Sequence, residues 1–167
     1  MSLNETKDLM FRLRAVRAED SQMIWEWAND PVARSVSFSS DPIAWESHSR
    51  WFAAKLMDPC CLFFIVLNPS DIPIGQIRFE VVENEAVISI SLAPDQRGKG
   101  YGSGIIQFAS QNVFASTNVE AIHAYIKPGN QSSIRAFTRA GFSDSGSVEI
   151  RGNLARKYTL QRKTKSE

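Results

Sequence analysis

The chain has 167 residues, 43% of them hydrophobic and 22% charged, which is one domain's worth of an ordinary globular protein, long enough to bury a core without staples. Its formal net charge of +1 supplies no general field for nucleic acid or an anionic membrane surface, so partners must be sought in particular sites. No apolar run approaches the roughly 18 residues of a membrane span and no signal-peptide pattern stands at the N-terminus, so the expectation is a cytoplasmic protein.

Residues 1–9 read as a flexible lead-in and residues 10–160 as one domain. Residues 11–16 alternate and predict a first strand; Glu19-Asp20-Ser21 then offers caps for a helix carrying Met23, Ile24 and Trp27, stopped by Asp30-Pro31. A polar stretch follows, and Asp41-Pro42 places a capping aspartate and an N1 proline at the start of a second helix reaching Met57. The run Cys61-Leu62-Phe63-Phe64-Ile65-Val66-Leu67 predicts a strand buried on both faces. Cys60 and Cys61 are adjacent, which rules out a long-loop disulfide and zinc-ligand spacing, and they read as reduced and structural. Asn68-Pro69-Ser70-Asp71 turns the chain into a strand over 74–82, and a tight turn at Glu83-Asn84-Glu85 returns it as a strand ending at Leu92. Beyond a glycine-rich stretch come a helix through Phe114, a strand over 120–126, and a helix carrying Ile134, Phe137 and Ala140, with Gly141 as its C-terminal glycine. Segments 147–151 and 154–160 around Gly152-Asn153 predict a closing hairpin, and 161–167 a solvated polar tail.

The chemistry concentrates in Gln96-Arg97-Gly98-Lys99-Gly100-Tyr101-Gly102-Ser103-Gly104, between a strand and a helix. Glycines there let the backbone turn tightly with N–H groups inward, and the first helical turn adds unpaired donors and a positive dipole end, so a phosphate or pyrophosphate would fit. Two common readings fail on spacing. The dinucleotide fingerprint would need glycine at Ser103, Ile105 or Gln107, and a P-loop would need Ser or Thr at Gly100 and glycine at Ala93.

Arg97-x-x-Gly100-x-Gly102 instead resembles the pyrophosphate loop of the GNAT family of acetyl-CoA-dependent N-acetyltransferases, and Asn130 to Phe142, with Ser133 and Phe137, resembles that family's second signature. The resemblance covers nearly all of residues 10–160. It implies an α/β (α+β) fold with one mixed, mostly antiparallel sheet of about seven strands and four helices. It also implies acetyl-CoA as co-substrate, no metal, and direct transfer to an amine. By the same resemblance Arg97, Gly98, Lys99, Gly100, Tyr101, Gly102 and Ser103 hold the pyrophosphate, the strand edge at Ile90 and Leu92 pairs with the pantetheine arm, and the Leu92 N–H meets the thioester carbonyl. Asn130 either bonds the pantetheine or caps its helix, and Phe137 lies along the cofactor where many members carry a proton-donating Tyr. Ser133 is the nearest hydroxyl able to replace that acid, or a helix-start serine bonded to backbone. Glu80, within its strand, is the candidate general base; His123 and Tyr125 share a strand face that could also reach the cleft.

The acceptor side should lie in the N-terminal third, where Trp25, Trp27, Trp45 and Trp51 fall close together with Phe38, His48 and Phe52. Trp25 and Trp27 point to different sides of one helix, so one of them is expected to line a groove. Trp27-x-Asn29-Asp30-Pro31 resembles a pattern in acetyltransferases of ribosomal-protein N-termini and of 4-amino-sugar nucleotides in the pseudaminic acid pathway, and the continuation looks more like the second group. Trp27, Asn29, Arg34, Phe38 and His48 are the substrate-binding candidates. The partner expected is a small-molecule amine, a sugar nucleotide, with no nucleic acid or membrane, and with a homodimer left open.

Overall fold

The computed structural model describes residues 10–164; the lead-in expected over 1–9 and the last three residues of the expected tail lie outside them. In chain order the elements are β1 (Arg12–Ala15), α1 (Ser21–Asn29), α2 (Pro31–Val36), α3 (Trp45–Met57), β2 (Cys61–Leu67), β3 (Pro73–Val82) and β4 (Glu85–Leu92). After these come α4 (Tyr101–Ser116), β5 (Ala121–Ile126), α5 (Gln131–Arg139), β6 (Ser143–Ile150) and β7 (Asn153–Gln161). The strands form one seven-stranded sheet in the order β1-β2-β3-β4-β5-β7-β6, antiparallel throughout except between β4 and β5. Among the described residues no helix is long and apolar enough to cross a membrane.

Alternation along β2 sends its side chains into two separate cores. Phe63, Ile65 and Leu67 pack with Ile24 of α1 and Phe52 of α3, whereas Val66 joins Ile77, Phe79, Ile105, Ile106 and Phe137 in the larger core on the other face, which includes residues of α4 and α5. The both-faces-buried reading of this strand therefore holds, with Ile65 and Val66 both fully buried.

The aspartate-proline start is one motif earlier than expected. Asp30, not Asp41, is the capping aspartate: its carboxylate accepts from the Val32 N–H at 3.1 Å and the Ala33 N–H at 3.3 Å, with Pro31 at the first helical position of the short α2. Asp41 and Pro42 lie in a linker and α3 begins only at Trp45, without a side-chain cap. The linker is fastened by long-range bonds that no local pattern reveals. Asn29 accepts from the Ile43 N–H at 2.7 Å and donates to the Ile43 carbonyl at 3.0 Å, which also accepts from the Trp25 indole at 2.8 Å. The closing hairpin starts at Ser143, four residues before its expected start, and a register shift between Asp144 and Ser147 interrupts the alternation that would have shown it. Arg162, assigned to the solvated tail, instead donates to the carbonyls of Phe114, Thr117 and Val119, just beyond and within the last turn of α4.

Candidate active site

β4 and β5 are paired only from Glu85↔Ala121 to Val87↔His123 and then separate. Residues 88–92 of β4 thus have β3 on one side and no strand on the other. The Ala93 N–H donates to the Ile74 carbonyl at 2.9 Å, so by strand alternation the backbone groups of Ile90 and Leu92 point into the opening. The Ile90 and Leu92 side chains pack on the core meanwhile, so one strand serves packing with its side chains and presents amides with its backbone.

A 3-10 turn, Pro94–Gln96, carries β4 into the glycine loop. Gly98 and Gly100 have φ of +72° and +78°, and a Cβ built on either would meet nothing within 4 Å. Backbone torsion and not crowding therefore requires glycine there, and the loop's outer surface leaves room for a ligand to reach the backbone and the start of α4. Beside the loop is a cavity of about 450 Å³ lined by Gly100, Tyr101, Ser103, Gly104 and Arg139. Gly98, Lys99 and Gly100 are exposed. Arg97 turns the other way: its guanidinium is ion-paired with Asp30 and donates to the Leu92 carbonyl at 3.3 Å. The hydrogen bond that Arg97 donates to Asp30 holds the Asp30 carboxyl below the usual carboxylate range. The motif arginine thus ties the glycine loop to the elbow between α1 and α2.

On α5, Asn130 is the N-cap, its side chain accepting from the Ser133 N–H at 3.2 Å. The Ser133 hydroxyl is half-buried and makes no hydrogen bond among the described residues, so it is not the backbone-bonded serine of the alternative reading. Phe137, expected along the cofactor, is buried in the larger core, edge-on to Phe142 at 5.0 Å.

A second cleft, of about 560 Å³, opens where β4 and β5 part, between Val87, Ser89 and Tyr125 and the linker that includes Phe38. Arg34, Arg78 and Arg151 line it, as do Asp41 and Glu80. Of the acceptor candidates, Phe38 and Arg34 reach this cleft. The Arg34 guanidinium is already spent on its own chain, donating to Ala28 O (2.7 Å), Ser39 O (2.9 Å), Asp41 O (3.2 Å) and Ser37 Oγ (3.0 Å). Asn29 is the clamp on Ile43, and Trp27 is half-buried outside the cleft lining. His48 is a core residue: it is 3% exposed, stacked on Phe52 and bonded through Nε2 to the Ser21 carbonyl at 2.8 Å, and burial pushes its pKa down. Glu80 lines the cleft ion-paired with Lys55. His123 is buried with Nδ1 2.9 Å from Thr159 Oγ1, whereas Tyr125 does reach the cleft.

Arg78 was not among the expected site residues. Its guanidinium lies 5.0 Å over the Trp51 ring and 5.7 Å from that of Phe63, and its presence in the middle of the apolar strand 74–82 was the available signal. Among the described residues, no group of three or more His, Cys, Asp or Glu side chains is placed to hold a metal ion.

A family profile described as an acetyltransferase (GNAT) domain matches residues 11–143. An uncharacterized N-acetyltransferase p20 of Bacillus licheniformis is 26% identical over 143 residues, covering 80% of this chain and 79% of the relative. Among solved structures, the aminoglycoside acetyltransferase AAC(6')-Ib in complex with coenzyme A superposes with a TM-score of 0.80 at 21% identity, covering 91% of this chain and 95% of that one. The spermidine N-acetyltransferase from Vibrio cholerae in complex with CoA and spermine also superposes with a TM-score of 0.80, at 20% identity and the same two coverages. The chain belongs to the GNAT acetyltransferase family: it is an N-acetyltransferase that uses acetyl-CoA.

Proposed function

We propose that this GNAT enzyme transfers acetyl directly, in a ternary complex, to the amine of a nucleotide-linked amino sugar. The observation carrying the reading is the lining of the 560 Å³ cleft, which sets Arg78 and Arg151, together with an Arg34 already bonded to its own chain, against two acids, one of them ion-paired with Lys55, beside the rings of Phe38 and Tyr125. Rings suit a base or sugar face and guanidinium groups suit phosphates. An acceptor carrying several ammonium groups, spermine for example, would meet like charge there.

On the donor side, the amides of residues 97–103 and the start of α4 hold the pyrophosphate, with Lys99 and Arg139 beside it. The open edge at Ile90 and Leu92 receives the pantetheine, and the Leu92 N–H stabilises the oxyanion formed as the amine attacks the thioester. Glu80 sits opposite Val87, three residues from Ile90 and five from Leu92. At about 3.4 Å per residue that is roughly 10 to 17 Å, so Glu80 draws the amine's proton through water and not by contact. Ser133, with its uncommitted hydroxyl, protonates the departing thiolate.

Thiol release over a panel of nucleotide-linked amino sugars, free amino sugars, spermine and peptides tests the acceptor class. Turnover is expected with the nucleotide-linked sugars first. Turnover of peptides alone would reassign the enzyme to protein N-termini, and preference for spermine would reject the anionic acceptor.

A further inference from the structure

Arg78 is a cation placed where its environment leaves it incompletely paired. It stands on β3 opposite Ser89 of β4, with its side chain 17% exposed, and its guanidinium lies over the Trp51 ring at 5.0 Å and near Phe63 at 5.7 Å. A guanidinium in a protein keeps its proton, so the charge must be compensated and not neutralised. The compensation present is small. Nη2 donates to Ser89 Oγ at a long 3.3 Å, and buried Nε has no hydrogen-bond partner. The Glu80 carboxylate is 3.7 Å from Nε, within ion-pair range but beyond a hydrogen bond, and is itself engaged by Lys55. Burial accordingly pushes the Arg78 pKa down. Aromatic packing leaves the edge of the planar ion, not its faces, as the part able to take a partner, and Arg78 lines the 560 Å³ cleft.

Resting on the reading of an anionic acceptor bound in this cleft, we propose that Arg78 is the residue that selects the acceptor, by binding an oxygen of its phosphate or carboxylate group on the guanidinium edge. Ser89 lies one residue from Ile90 and three from Leu92, so an anion on Arg78 sits up to about 10 Å along β4 from the transfer point. One hexose ring with its anomeric phosphate spans such a separation, which leaves the amine directed at the open edge.

The test is calorimetric titration of the full chain saturated with CoA, so that the glycine loop is filled, against UDP and separately against succinate. Saturable binding of UDP alone assigns a phosphate anchor and of succinate alone a carboxylate anchor. In Arg78→Gln, whichever binds should weaken at least tenfold while CoA affinity stays as in the wild type. If that variant fails to fold, Ser89→Asp places a carboxylate against the guanidinium and should abolish anion binding equally while leaving CoA affinity unchanged. Binding of neither anion to the wild type, or equal affinity in wild type and variant, overturns the proposal. The two readings fail separately: Arg78-dependent succinate binding without turnover of nucleotide-linked sugars removes the sugar nucleotide alone, and full turnover of that substrate by Arg78→Gln removes the anchor alone.

Discussion

At the level of single residues, His48 and Arg78 are opposite lessons on one sheet face. His48 is buried among rings, with Nε2–H donating to the Ser21 carbonyl, and burial depresses its pKa. A depressed histidine pKa means that the unfolded chain binds a proton that the folded chain refuses, so the stability His48 contributes is complete above about pH 6.5 and falls away as pH drops from there through the folded value. Thermal melts of wild type and His48→Gln between pH 7.5 and 5 should show the wild type losing stability faster, since glutamine keeps a donor but does not titrate; parallel curves would remove His48 as the cause. In the sequence, the aromatics around His48 look the same whether they line a groove or fill a core, because i, i+3 and i+4 spacing reports a shared face and not what covers it. Arg78, a lone arginine in an apolar strand, carried a readable signal, but its meaning depends on Trp51 and Ser89, which are distant in the chain.

The elements carrying the two proposed substrate sites meet at the Asp30 elbow. Asp30 caps α2 and pairs with Arg97, so the carboxylate that ends α1 also holds the glycine loop. Asp30→Asn keeps an oxygen for the cap and loses the ion pair. The expected result is acetyl-CoA affinity weakened roughly two- to fivefold, the range of a partly exposed ion pair, and the loss should shrink at high salt. Calorimetry at two ionic strengths reads both; a salt-independent loss would place the effect in the cap. The elbow also shows where pattern reading stops. Both Asp30-Pro31 and Asp41-Pro42 satisfy the local rule for a helix start, and only the long-range bonds of Asn29, Trp25 and Arg34 decide which one is used. Strand, loop and helix around residues 88–114 were legible because their determinants are local: alternation, positive-φ glycines and helical period.

Across the whole molecule, the proposed donor site exists only in the folded chain, because it joins the open edge of β4, the loop 97–103 and the start of α5, which no local segment brings together. A ligand bound by the folded state alone stabilises it by mass action, by about 2.7 kcal/mol at a hundredfold excess over Kd. For a domain of this size each kcal/mol is about 2–4 °C in Tm, so acetyl-CoA should raise the melting temperature by roughly 5–10 °C. Gly100→Trp is the control. Gly100 needs φ of +78°, and an indole there would be strained and would fill the open space above the loop. The variant is expected to melt below the wild type without ligand and to show no acetyl-CoA shift, while keeping the wild-type circular dichroism spectrum. A full shift in Gly100→Trp would move the pyrophosphate off this loop, and the roles of Leu92 and the β4 edge, which depend on how the donor is held, would have to be reassigned with it.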